Sequence, residues 1–312
     1  MIATAATVLA NGTAPIAMIQ ELAAPIERAR TSLPGESSID CWKSGNLETV
    51  GTMKGSGPCG LQRVAAAHLA LSKLQAKFAA TKDKEQWDTS YNAVVDGQRV
   101  HSEYGQRLAQ LVQLRRALHG EGGEDSRVRV ACEIGFNVGH GSSILLEGTQ
   151  VEVVHSFDLL ANAWSTAAVQ MIQHLFPGRL VMHQGNSQVT VQRYADEVKA
   201  GRAPRCDLWY IDGLHTGDGP RKDMVNALAS SHNGTIILAD DCTRHWVAVL
   251  NGFRTIALAG SIRAPVSANL KAKHFEGGGH GGSGWCLGIA VKPPSRLASN
   301  AQMVEPWHLG RR

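Results

Sequence analysis

From Val128 onward, short apolar runs alternate with stretches whose apolar residues recur every three or four positions. Val128 to Ile134, Glu152 to Phe157, Arg179 to His183, Leu208 to Ile211 and Thr235 to Ala239 have strand length. Between them, Ser142 to Glu147, Thr166 to Phe176, Val191 to Ala200 and Arg221 to Ser230 predict helices, the last with Pro220 near its first turn. Trp246 to Ser261 predicts a further, mostly helical segment. Two closing strands, Leu270 to Phe275 and Trp285 to Val291, flank the glycine-rich stretch Glu276 to Gly284 and predict a hairpin. Five strand–helix units imply an α/β protein with a doubly wound, mostly parallel sheet of seven strands, the C-terminal antiparallel hairpin added at its edge.

The N-terminal third has a different texture. Leu61 to Ala80 carries Val64, Ala67, Leu71, Leu74 and Phe78 at helical spacing, and Glu103 to Leu118 does so through Tyr104, Leu108, Leu111 and Leu114. Gly120 to Asp125 breaks that second helix. Residues 31–60, with Pro34-Gly35 and Gly55-Ser56-Gly57-Pro58, predict loop. Residues 1–20 hold no charged side chain and are interrupted at Asn11, Gly12, Thr13 and Pro15, which predicts a weakly ordered N-terminus. The division expected is an N-terminal loop and helical extension over 1–100, serving as lid or oligomer contact, an α/β domain over 101–295 and a tail over 296–312. A homodimer through the N-terminal helices is one use of that apolar face.

Composition narrows the class. With 43% hydrophobic and 19% charged residues in 312, the chain has the balance of an ordinary globular protein and can bury a sizeable core. The net charge is +4 with dispersed Lys and Arg, which argues against nucleic acid as partner. No basic segment precedes the interrupted apolar start, so neither a secretory signal nor a membrane span is expected. Six cysteines without a Cys-x-x-Cys pair, with Cys132 and Cys286 inside strands, read as free thiols of a reduced, cytoplasmic protein. An organelle transit peptide stays open.

The chemistry gathers where strands end. Asp212 closes one apolar run, His215 follows three positions later, and Asp240-Asp241 closes another. Ligands of open α/β sheets sit just beyond such carboxyl ends. Neighbouring strands lie about 4.8 Å apart, so three carboxylates would converge there and call for a cation, expected to be Mg²⁺ or another hard divalent ion. The plainer alternatives are Asp212 paired with Arg221, and Asp240 or Asp241 capping the next segment. His140, His245 and His280 read as loop or helix-start residues.

Glu133-Ile134-Gly135-Phe136-Asn137-Val138-Gly139-His140-Gly141-Ser142 follows the first strand and opens a helix whose N–H groups face an anion. Gly135 suits a tight turn, and Gly139 and Gly141 would let a ligand approach bare backbone. The spacing lacks the G-x-G-x-x-G of dinucleotide binders and the lysine of phosphate loops. Instead it resembles the first motif of class I S-adenosylmethionine-dependent methyltransferases, a Rossmann-like family. That resemblance implies S-adenosylmethionine held by Glu133, Gly135, Gly139, Gly141 and Ser142. It also implies Asp158 on the ribose hydroxyls, Gly185, Asn186 and Ser187 beside the adenine, and Asp212 at the reacting end. Asp212, Asp240 and Asp241 resemble the ligand set of magnesium-dependent O-methyltransferases, where the last position is typically Asn. The Ile-Asp-Gly-x-His run is similar to that of macrolide-sugar O-methyltransferases, which implies His215 as general base acting on a small hydroxylated substrate. Two other readings use the same residues: a metal-independent or N-directed methyltransferase, and a non-catalytic protein that binds the cofactor.

Overall fold

The computed structural model describes residues 14–32, 67, 70–75, 77, 128–149, 151–162, 164–269 and 284–291. The expected helix Glu103 to Leu118, the strand Leu270 to Phe275, His280, Cys41, Cys59 and the tail 296–312 lie outside these residues. The described elements are α1 (Ile16–Ser32), β1 (Val130–Ile134), α2 (His140–Gly148), β2 (Val153–Asp158), α3 (Ser165–Leu175) and β3 (Leu180–Gln184), followed by α4 (Ser187–Lys199), β4 (Cys206–Ile211), α5 (Gly219–Ala229), β5 (Ser231–Asp240), α6 (Val247–Leu258), β6 (Ile262–Asn269) and β7 (Gly284–Ala290).

Seven strands form one sheet in the order β3-β2-β1-β4-β5-β7-β6. The first five are parallel, and β7 runs antiparallel to both β5 and β6. This is the doubly wound sheet with an antiparallel edge that the alternation predicts. Strand residues alternate between two cores, as the period of two requires. Ala131, Val154, Leu208, Tyr210, Ile236 and Leu238 face one side, where α2 and α3 pack. Cys132, Ile134, Phe157, Trp209, Ile211 and Ile237 face the other, under α4, α5 and α6.

Three expectations need correction. The start of the chain is not loosely ordered from residue 16 on: α1 buries Ile19, Leu22, Ala23 and Ile26 in the α2/α3 core, together with Leu71 and Leu74 from the helical residues 70–75. That spacing of three and four makes one apolar stripe, and its burial outweighs the missing charges. Second, the strand that pairs with β7 on the C-terminal side of α6 is Ile262–Asn269, β6, ahead of the Leu270 to Phe275 expected for that hairpin. Third, the four described cysteines are not free thiols. Cys132 is bonded to Cys206, and Cys242, just past β5, to Cys286 in β7. The partners lie 74 and 44 residues apart, and the sheet brings them together. Among the described residues no helix is long and apolar enough to cross a membrane.

At the amino ends of the strands, Asp207 accepts from the N–H groups of Arg129 and Val130, both at 2.8 Å, and pairs with His232 at 2.8 Å. That end is closed by internal hydrogen bonds. The carboxyl ends carry the site.

Candidate active site

The glycine loop joins β1 to α2, and its glycines are required by neighbours inside the protein. A Cβ on Gly135 would lie 1.9 Å from the carbonyl oxygen of Asp212, and φ is +93° there. On Gly139 it would lie 2.8 Å from the Phe136 ring, and on Gly141 2.2 Å from Oε1 of Glu133. Bare backbone therefore serves close packing of the loop against β4 and Glu133, a different reason from the ligand approach expected for Gly139 and Gly141. The first turn of α2 has no side-chain cap, so its N–H groups suit an anion.

Glu133 and Asp158 hold this loop. Glu133 is fully buried, and its Oε2 accepts from the hydroxyls of Ser142 at 2.5 Å and Ser156 at 2.7 Å. Asp158 accepts at Oδ2 from the N–H groups of Phe136 and Asn137, at 2.8 and 3.1 Å, and at Oδ1 from Leu160 at 2.6 Å. His140, the first residue of α2, meets the hydroxyl of Ser72 at 3.3 Å, which brings the N-terminal segment to the loop. Beyond β3, Gly185 has φ +135°, Asn186 caps α4 by accepting from the N–H of Gln188, and Ser187 donates to Asp223.

The second group lies beyond β4 and β5. Asp212, His215 and Asp241 each offer a ligand atom within 4.8 Å of the others. Nε2 of His215 lies 3.3 Å from Asp212 and Nδ1 lies 3.7 Å from Asp241, so the imidazole bridges the two carboxylates. Burial disfavours its charged form, but the hydrogen bond and charge of Asp212, with Asp241 and Asp240, outweigh that and raise its pKa. The ring of Trp246 lies 4.9 Å from that of His215. Sequence reasoning gave Trp246 no role at the site, because its place there depends on the turn after Asp241.

Asp240 is placed differently. It is 2% exposed; its Oδ2 accepts from the hydroxyl of Tyr210 at 2.9 Å and its Oδ1 from the N–H of Asp241 at 2.9 Å. Asp241 itself sits at φ +53°, a strained conformation for a residue with a side chain. The non-glycine residues with positive φ among those described are Asn137, Leu160 and Asp241. All three follow strand ends on this rim, where strained backbone is commonly tied to function. Arg221 pairs with Asp218 at 2.5 Å, so the plain pairing of Asp212 with Arg221 does not form. His245 is exposed and packs against Trp246.

A divalent cation fits the carboxylates here: Asp212 and Asp241 converge with Asp240 beside them, and His215 lies between the first two. The uncapped helix behind a loop too tight for side chains fits the carboxylate end of an amino-acid-bearing cofactor.

Residues 132–242 match a family model described as a methyltransferase domain. An O-methyltransferase from Bacillus cereus in complex with SAH has a similar structure, with a TM-score of 0.52 at 13% identity, over 81% of this chain and 100% of that one. A putative O-methyltransferase from Klebsiella pneumoniae matches at 0.44 and 16% identity, over 88% and 100% of the two chains. The O-methyltransferase TomG from Streptomyces achromogenes, in complex with SAM, gives 0.44 and 16% over 70% and 96%. No curated protein matches this chain. The first of these likenesses shows the fold.

Proposed function

We propose that this chain, a methyltransferase by the domain it carries, moves the methyl group of S-adenosylmethionine to a hydroxyl oxygen of a small molecule with the help of Mg²⁺ or a similar hard cation. The observation that carries this is the convergence of Asp212, His215 and Asp241 one strand away from the glycine loop. S-adenosylmethionine supplies an electrophilic methyl on a sulfonium. A divalent cation supplies Lewis acidity that lowers the pKa of a bound hydroxyl.

The chain's residues supply the rest. Asp212 follows β4 directly, and its backbone N–H donates to Ile134 at 2.8 Å, so the acidic cluster is tied to the start of the glycine loop. That link sets the acceptor oxygen against the methyl, and in-line transfer needs such fixed geometry. His215 takes the hydroxyl proton. Beside Asp212 and Asp241 its raised pKa favours the protonated form, and it accepts the substrate proton once their charge is neutralised. Trp246, beside His215, keeps one wall apolar.

A second reading follows from the same bridge. With protonated His215 as the cation between Asp212 and Asp241, the cluster needs no metal, and the enzyme is metal-independent. Calorimetric titration of S-adenosylmethionine, then of Mg²⁺ and Mn²⁺, and a screen of hydroxylated acceptors with and without chelator separate the readings. Cofactor binding, with turnover that the chelator abolishes, is the expected result. Turnover indifferent to chelator favours the metal-free reading, and absence of cofactor binding overturns both.

A further inference from the structure

Asp241, just past β5, sits between two fastenings to β7. Before it, Ala239 and Asp240 pair with Cys286 and Trp285 in the antiparallel ladder. After it, Cys242 is bonded through its sulfur to Cys286, and its backbone N–H donates to the carbonyl of Gly284 at 3.1 Å. Cys286 thus holds the chain on both sides of Asp241. Cys242 and Cys286 are both buried, and neither takes part in the chemistry above.

That fastening has something to hold. Asp241 is at φ +53°, and a residue with a side chain keeps such a backbone only where its surroundings over-determine it. The bond from the N–H of Thr243 to the carbonyl of Asp241, at 2.8 Å, lies within the turn and would move with it. The disulfide ties the turn to the sheet covalently. Without it, Cys242 is held to β7 by one backbone hydrogen bond, and Asp241 is freer to relax to negative φ. Its carboxylate would then leave Nδ1 of His215, which lies at 3.7 Å. The other disulfide gives the contrast: Cys132 lies within β1 and Cys206 opens β4, with the rest of that strand between it and Asp212.

We propose that Cys242 and Cys286 are positioning residues whose disulfide holds the Asp241 carboxylate toward Asp212, so that cation affinity depends on this bond, a role that rests on the cation of the proposed function. The sulfurs act through Asp241 and not on the ion. Reduction of the pair to two thiols therefore loosens the site, whereas loss of the Cys132–Cys206 bond does not.

The test is calorimetric titration of Mn²⁺ into the full chain and into two double variants, Cys242→Ala/Cys286→Ala and Cys132→Ala/Cys206→Ala. Each variant loses a bond that closes a long loop, so both should melt below wild type. Only the first should bind Mn²⁺ more weakly, by about tenfold or more, the scale on which supports of metal ligands act. Unchanged affinity in the first, or equal weakening in both, overturns the proposal and leaves the cation site standing. Should the first variant not fold, the second is reduced with a phosphine, then freed of it without air and titrated. The phosphine becomes its oxide with oxygen from water, and Cys242 and Cys286 become thiols. The same tenfold loss is expected there; an unchanged affinity, or loss of the fold, overturns the proposal, because the bond is then irrelevant to the ion or structural. Absence of Mn²⁺ binding by wild type overturns the proposal together with the cation beneath it, and a parallel titration of S-adenosylhomocysteine shows whether the cofactor reading stands.

Discussion

The two halves of the rim use acidic residues in opposite ways. On the β1/β2 side, Glu133 and Asp158 face inward donors, two hydroxyls and three backbone N–H groups. On the β4/β5 side, Asp212 and Asp241 face the two nitrogens of one imidazole. The first arrangement shapes a loop around a ligand. The second concentrates negative charge that a proton or a cation relieves. Carboxylates at strand ends are thus not one kind of residue, and the donors around them tell the kinds apart.

Variants should split along that line. The largest effect is expected from His215→Ala, which should lower turnover of the acceptor found by the screen by on the order of 10²–10⁴. Its melting temperature without cation should stay within a few degrees of wild type. A fall in melting temperature large enough to account for the lost activity would break the comparison, because His215 would then be structural.

Glu133→Ala should show the reverse pattern. It strips two buried hydroxyls of their acceptor and should cost about 2–4 kcal/mol of stability in denaturant unfolding. An unchanged unfolding midpoint would move Glu133 out of the loop-holding group.

Acid should expose a third site away from both halves. His155 is held at a pKa of about 4 by burial and then by the neighbouring charge of His183. Its folded value lies below the unfolded 6.5, so the unfolded chain takes up the proton first. Stability from this group is complete above pH 6.5 and falls as the pH drops toward 4, by at most roughly 3 kcal/mol. His155→Phe should flatten that part of the curve, measured as melting temperature from pH 7.5 to 4.5. An identical slope would place the acid sensitivity elsewhere.

The smallest effect concerns Tyr210, whose hydroxyl donates to Asp240. Tyr210→Phe should weaken Mn²⁺ binding about tenfold, the usual cost of losing a group that orients a ligand. Unchanged affinity would mean that Asp240 does not help to hold the ion.

Much of this was legible in the chain. Apolar runs gave every strand of the parallel sheet, and Asp212, His215 and Asp241 meet as their positions after β4 and β5 imply. Strand β6 was hidden by Pro265, which argues against a strand unless it lies at an edge, as β6 does, beside a register shift. Helix α1 was legible in Ile19, Leu22, Ala23 and Ile26 but masked by a start without charges. The disulfides and the bond from Tyr210 to Asp240 depend on which strands become neighbours. Tyr210 pairs with Leu238, so Asp240, two residues on, shares its face. Only the assembled sheet supplies that register.

Helix α1 also sets a timetable for synthesis. The N–H of Ala14, just before it, donates to Gln170 in α3, a partner 156 residues away. The stripe of Ile19, Leu22 and Ile26 leaves the ribosome before the surface that covers it exists. At about 5–20 residues per second it waits on the order of ten seconds, exposed to every other sticky segment in the cell. Docking of α1 is therefore a late event in the making of this fold, however early its residues are made.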